Sequence, residues 1–363
     1  MHSEKLIVAM LLLRQKMKIL IVKLGSIGDI VHTLPALAAI HHGLPDAEIS
    51  WVVEKRSAEI LRGNPMISRL IEIDTKSLRR NVNPRKFLSQ VRSELQQLRD
   101  VKFDVALDFQ GLLKSALVGK LSGAKKIYGF SSRSLKEPAS RIFLDKAVRT
   151  SRRSNVIFKN LNLANRALKL ELQSNSPELL NFPISLDDTH RAEAGQIAAK
   201  IHGDFAILNP GGGWPAKLWP AERFGQLADL LWKELGLASV VTYGPGEEEL
   251  AARVVNSAVS QKAFAANISL KGFFALAQKA AIYVGGDTGP THLAVAANTP
   301  VVGIFGPTEW WRNGSPRKED VGVKHEGIAA HVCTRRSDSN CPCMDIEAEK
   351  VFQAVRGRLN KGF

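Results

Sequence analysis

Hydrophobic positions along the chain follow two rhythms: short unbroken apolar runs, and longer stretches with apolar residues three and four apart. Runs of the first kind at Lys18–Lys23, Glu48–Val53, Leu70–Ile73, Val105–Phe109 and Lys126–Phe130 read as buried parallel strands. Helical spacing covers Ile30–His42, Ser57–Arg62, Arg85–Arg99, Leu112–Leu121 and Val156–Leu170. This alternation predicts a parallel sheet with helices on both faces. Residues 171–203 break the rhythm with Gln173-Ser174-Asn175-Ser176-Pro177. A second series follows, with strands at Phe205–Leu208, Ser239–Thr242, Ile282–Val284 and Val301–Phe305. Its helices are predicted at Ala221–Leu235, Glu248–Val259, Phe273–Ala280 and Thr291–Ala297, with a last one over Ala348–Leu359.

A chain of 363 residues exceeds one ordinary core. The expected fold class is α/β, two Rossmann-type doubly wound domains facing across a cleft. The expected bounds are 17–170 for the first domain, 171–203 for the connection, 204–345 for the second domain and 346–363 for a C-terminal helix. Met17 directly precedes the first strand, so residues 1–16 read as an N-terminal extension. Leu6–Leu13 is apolar over eight residues only, too short to span a bilayer, and no small-residue cleavage site follows it. A cytoplasmic protein is expected.

Charge sharpens this picture. The net charge is +15, yet residues 51–170 alone hold 26 basic and 10 acidic side chains, a local balance of +16. Such a field draws polyanions: nucleic acid, an anionic membrane surface or a phosphorylated substrate. No aromatic RNA-binding motif or paired zinc ligands accompany it, which argues against nucleic acid.

The chemistry is concentrated at strand ends. After the first strand come Gly25-Ser26-Ile27-Gly28-Asp29 and a helical pattern. Asp29 there is either a helix N-cap or a carboxylate at the ligand crevice of an open α/β sheet. Gly211-Gly212-Gly213 leaves backbone N–H groups open to a phosphate, or forms a flexible loop, and Lys217 adds a point charge. In Gly244-Pro245-Gly246-Glu247-Glu248-Glu249 an acid accepts ribose hydroxyls or steadies a helix start. Gly285-Gly286-Asp287-Thr288-Gly289-Pro290-Thr291-His292 joins a strand, a glycine turn and a helix start, the makings of an anion site. Within it Asp287 orients ligand or caps, and His292 touches phosphate or packs.

Neither glycine turn fits G-x-G-x-x-G, and G-x-x-x-x-G-K-[ST] is absent, which disfavours a dehydrogenase or P-loop NTPase. With no Asp-x-Asp pair, a diphosphate would be met by Lys217 and helix-terminal N–H groups rather than a carboxylate-held Mg²⁺. No cofactor is expected. Cys333, Cys341 and Cys343 are odd in number, and C-x-C is not the usual zinc spacing even with His331 nearby. An ordinary loop and no metal are expected there.

Taken together, Lys23–Pro35, Asp108–Ser115, Lys217–Pro220, Gly286–Ala294 and Phe305–Thr308 resemble the ADP-heptose:lipopolysaccharide heptosyltransferases, glycosyltransferase family 9. Lys136-Glu137-Pro138-Ala139-Ser140 is similar to the heptosyltransferase I branch, whereas Cys341–Ile346 is similar to other members. The resemblance implies a GT-B fold, the acceptor on the first domain and ADP-heptose on the second, with inverting, metal-independent transfer. It implies Asp29 as catalytic base, Lys217 on the donor phosphates and Asp287 on the heptose. Thr288, Gly289 and His292 would surround the diphosphate, and Gly212, Gly213, Glu247, Glu248 and Thr291 are the further candidates on the donor side. Gly212 and Gly213 stand where heptosyltransferase I often has Thr. The acceptor implied is Kdo-lipid A or inner-core lipopolysaccharide, an anion suited to the basic half. Candidates for its contact are Gly28, Arg79, Arg80, Gln110, Lys114, Arg133 and Lys136, with peripheral attachment to the anionic inner face of the inner membrane. The alternative is a non-catalytic or regulatory nucleotide-sugar-binding protein of the same fold.

Overall fold

The computed structural model describes residues 16–74, 96, 98–172, 179–328, 332–334, 337 and 341–361. Two six-stranded sheets, wholly parallel, order the chain. The first comprises β1 (Lys18–Val22), β2 (Glu48–Glu54), β3 (Arg69–Ile73), β4 (Val105–Asp108), β5 (Lys126–Phe130) and β6 (Lys146–Val148), in the order β3-β2-β1-β4-β5-β6. The second comprises β7 (Phe205–Asn209), β8 (Ala238–Tyr243), β9 (Ala263–Asn267), β10 (Ile282–Gly286), β11 (Val301–Ile304) and β12 (Val321–Val323), in the order β12-β11-β10-β7-β8-β9. Both are the doubly wound order, in which the winding reverses beside the first strand. The reversals fall between β1 and β4 and between β7 and β10, where Val22 pairs with Asp108 and Gly285 with Asn209. Ligand loops leave a sheet at such points.

The chain divides into two compact units. One holds the first sheet. The other holds the second sheet together with Ser26–Pro35 and Ser151–Lys159. The helices are α1 (Ile27–Val31), α2 (Leu34–Gly43), α3 (Leu113–Leu121), α4 (Val156–Leu168), α5 (Asp188–Ala198), α6 (Ala221–Leu235), α7 (Glu248–Ser257), α8 (Leu270–Ala277), α9 (Gly289–Ala296), α10 (Trp310–Asn313) and α11 (Ala348–Leu359).

The expected helix over Ile30–His42 is two helices. Pro35 has no N–H to give Val31, so the run breaks, and Pro35 takes the second position of α2, where no donor is needed. Thr33 closes the gap, its N–H donating to Ile30 O and its hydroxyl to Asp29 O. The expected helix at Ser57–Arg62 is a 3-10 turn over Lys55–Leu61. Residues 171–203 carry α5, which sequence periodicity does not show because only Ala194 and Ile197 are buried. Asp187 starts it, accepting from His190 N–H at 3.1 Å. The edge strands β6, β9 and β12 also escape the pattern: β6 and β12 hold three residues each, and β9 is only partly buried. Most of the predicted Arg85–Arg99 helix and all of Leu6–Leu13 lie outside the described residues. No described helix is long and apolar enough to cross a membrane.

In the second unit α6 turns Phe224, Leu227, Ala228 and Leu231 inward, spacing that keeps one stripe on the core. Gly225 on this helix faces α7: a Cβ there would stand 2.6 Å from Ser257 Cβ and 2.7 Å from its backbone carbonyl carbon. Alanine normally favours a helix over glycine by about 1 kcal/mol. Here overpacking against backbone, worth about 1–3 kcal/mol, opposes that gain. Gly225→Ala is therefore expected to lower, not raise, the thermal midpoint, read by circular dichroism.

Candidate active site

At the reversal of the second sheet, β7 and β10 deliver their loops side by side. Asn209 ends β7, and its side-chain amide donates to Thr242 O at 2.9 Å, fastening that end to β8. The glycine loop then leads to a 3-10 turn, Pro215–Lys217. Glu247 accepts from Gly244 N–H at 2.9 Å, and its carboxylate fills the space that a side chain on Gly211 would occupy. Gly212 is covered by Leu218, Gly213 is exposed, and Glu248 is exposed at the start of α7.

Lys217 reaches across to the loop after β10. Its ammonium stands 2.7 Å from Asp287 Oδ2 and 3.0 Å from Asp287 O, with the Trp214 ring beneath it. Asp287 is the hub: its Oδ1 lies 3.3 Å from His292 Nε2, and Oδ2 also receives Asn313 Nδ2 at 3.3 Å. Burial alone would raise the Asp287 pKa. The His292 hydrogen bond and charge, with Lys217, outweigh it and hold the carboxyl well below the usual range.

His292 turns its other nitrogen to His32, with Nδ1 3.1 Å from His32 Nε2 and the rings edge to face. The Nε2–H suits the Asp287 carboxylate, and the direction of the bond between Nδ1 and His32 Nε2 follows the tautomers of the two rings. Lys217, Asp287, His292 and His32 thus form one polar chain within a single unit. α1 lies directly on α9 because Gly28 has no side chain: a Cβ there would enter the His292 imidazole, while Gly289 rests against Ile27. Gly28 therefore faces a histidine.

Asp29 is half-buried on α1, in the helix's first turn, and the N-cap position belongs to Ser26. Asp29 is thus not the N-cap residue itself. Thr288 occupies the N-cap position of α9, its hydroxyl buried and approaching Tyr283 without a well-formed hydrogen bond. Thr291 is fully buried, its hydroxyl 2.9 Å from the Tyr283 hydroxyl and bonded to Gly286 O, so it braces the turn. Burial raises the Tyr283 pKa, so that hydroxyl keeps its proton. α9 thus presents first-turn N–H groups and a dipole beside a lysine, an arrangement suited to a diphosphate.

In the other unit, Gln110 is buried and its Oε1 accepts from Leu24 N–H at 3.2 Å, linking the loops after β1 and β4. Beneath it Asp108 accepts from Gln110 and Gly111 N–H and from the Ser115 hydroxyl, and burial raises its pKa. Lys114 pairs with Glu54 at 3.3 Å, Lys136 is exposed, and Arg133 lies on the Ser132–Ser134 turn. Arg79 and Arg80 fall outside the described residues.

Sequence reasoning missed the pairing of His32 and the contact of Asn313, and it assigned the three cysteines to an ordinary loop. His32 stood inside a quoted motif, but its partner is 260 residues away. Asn313 carries no local signal. The C-terminal cysteines do not form an ordinary loop: the structure joins Cys333 to Cys341 and sets Cys343 against both.

Comparisons with known proteins establish the family and the fold. A family model described as glycosyltransferase family 9 (heptosyltransferase) matches residues 91–342. Lipopolysaccharide heptosyltransferase 1 of Pseudomonas aeruginosa is 30% identical over 340 residues, covering 94% of this chain and 92% of that one. Among solved structures, Escherichia coli heptosyltransferase WaaC with ADP-2-deoxy-2-fluoro heptose superposes with a TM-score of 0.73 at 23% identity, covering 94% of this chain and 99% of that one. A family 9 glycosyltransferase from Veillonella parvula gives 0.79 at 21% identity, covering 96% and 99%. At these identities the structures establish the fold, which is of GT-B type.

Asp287→Asn removes the counter-charge of Lys217 and His292. At neutral pH a loss of about 3 kcal/mol is expected from urea unfolding. Because the folded-state pKa is depressed, the carboxylate's contribution is complete above its ordinary value and fades as pH falls toward the folded value. The gap between wild type and Asp287→Asn should therefore narrow below about pH 4.

Proposed function

The chain belongs to glycosyltransferase family 9, and from that premise we propose that it moves heptose from ADP-heptose to the Kdo or inner-core region of lipopolysaccharide. An enzyme of this family is a transferase, which sets aside the non-catalytic alternative. The observation that carries the reading is the polar chain from Lys217 through Asp287 and His292 to His32, seated at the start of α9 and ending at the C-cap of the helix that bears Asp29.

Donor binding follows from that chain. An ammonium carries three N–H donors, and Asp287 takes two of those of Lys217, leaving one for a phosphate oxygen. The N–H groups opening α9 supply the rest. Asp287, fixed as a carboxylate, accepts from sugar hydroxyls. A departing diphosphate carries growing negative charge, and these donors stand ready for it without rearrangement.

Transfer is a single displacement. The acceptor hydroxyl oxygen bonds to the anomeric carbon, and the bond from that carbon to the ADP oxygen breaks. Asp29 takes the hydroxyl proton. Inversion follows from attack opposite the leaving group. The basic surplus over 51–170 supports a phosphorylated acceptor and a peripheral place on an anionic membrane face. Exposed Lys136 suits such an anion, and Lys114 suits it once released from Glu54.

The test is ADP release with ADP-heptose and Kdo-lipid A, without added Mg²⁺ or Mn²⁺. Asp29→Asn should cut turnover by roughly 10²- to 10⁴-fold while donor affinity stays within a few-fold. Turnover that survives the change removes Asp29 as the base. Lys217→Met should instead weaken ADP-heptose binding by about 10- to 100-fold in calorimetry, the worth of one hydrogen bond to a charged group.

A further inference from the structure

Cys333, Cys341 and Cys343 are all buried, and their sulfurs lie within 4.8 Å of one another. Cys343 Sγ stands 2.7 Å from Cys333 Sγ and 3.2 Å from Cys341 Sγ, inside the roughly 3.5–4.0 Å at which non-bonded heavy atoms rest. A thiol is a weak donor and acceptor, so hydrogen bonding does not account for three sulfurs drawn together. A disulfide uses two of them and leaves the third crowded without a bond. A soft cation uses all three: with metal–sulfur bonds of about 2.3 Å, tetrahedral sulfurs stand about 3.8 Å apart. Changes of sulfur position of about 1 Å reach that spacing, and side-chain torsions supply them.

We propose that Cys333, Cys341 and Cys343, as three thiolates, hold one thiophilic cation of the zinc type, with a fourth position left to water or another donor. The cation binds the reduced chain. Opening the Cys333–Cys341 bond takes two electrons and two protons from a thiol reductant, which leaves as its disulfide, and cation uptake then expels the thiol protons to solvent.

The surroundings give the clasp a purpose. A Cβ on Gly306, just past β11, would meet Cys343 O at 2.9 Å and its Sγ at 3.1 Å, so the cysteine turn lies directly on that strand end. Three residues beyond Cys343, Ile346 O accepts from Trp219 Nε1 at 2.8 Å, and Trp219 is two residues from Lys217. Next to it, Arg223 holds Asp345 at 2.6 Å. A cation at the cysteines fixes this segment against both β11 and the loop that carries Lys217.

The full chain, reduced with a thiol that is then removed under anaerobic conditions, is titrated with Co²⁺ and then Zn²⁺. The expected result is about one cobalt per chain with an intense sulfur-to-cobalt absorption band, abolished by one equivalent of zinc. Zinc should also raise the melting temperature. Cys343→Ser should weaken cobalt uptake by at least about 100-fold and erase the three-sulfur band. Three thiols titratable after denaturation but no cobalt band in the native chain, or a band unchanged in Cys343→Ser, overturns the proposal. If Cys343→Ser does not fold, the wild type decides: a melting temperature unmoved by one equivalent of zinc overturns it.

Discussion

The Asp287 carboxylate between an ammonium and an imidazole is the contact on which the second unit's site depends. A carboxylate with 7% of its side chain exposed is costly unless charge and hydrogen bonds replace its lost water. Lys217, His292 and Asn313 replace it, and each comes from a different segment. The carboxylate therefore draws together the loop after β7, the start of α9 and the short α10. Without it, two basic groups and a helix N-terminus would share one corner with no anion until a ligand brought one.

The sheet makes this meeting possible. The reversal of winding between β7 and β10 sets their carboxyl ends next to each other, so two loops far apart in sequence open at one point. Small residues then let the layers close: Gly28 admits the His292 ring, and Gly289 admits Ile27. The His32–His292 contact follows from that approach and reaches the helix carrying Asp29. Tyr283 and Thr291 work below the site, occupying each other's hydroxyls so that the turn between β10 and α9 keeps its shape.

Several features were readable along the chain. The βαβ rhythm appears because buried parallel strands are apolar on both faces and their helices are apolar on one. The glycine turns before Asp29 and after Ile282–Val284 announced strand ends. What sequence reading lost was weakly patterned or distant. β6 and β12 run only three residues, β9 is only partly buried, and α5 buries too little to show its period. Pro35 was visible, yet the apolar spacing across it concealed the break.

By itself, then, the sequence determined the elements, their parallel α/β class and the residue types at the strand ends, because hydrophobic period and turn chemistry are local properties. Only the tertiary structure decided which of those residues share work. It made Thr291 a brace, engaged Gln110 between two backbone loops and moved Asp29 off the N-cap. It also brought three cysteines and two distant histidines into contact. Pairings across scores or hundreds of residues depend on strand order and on how closely two backbones approach, and neither quantity is written in any local stretch of chain.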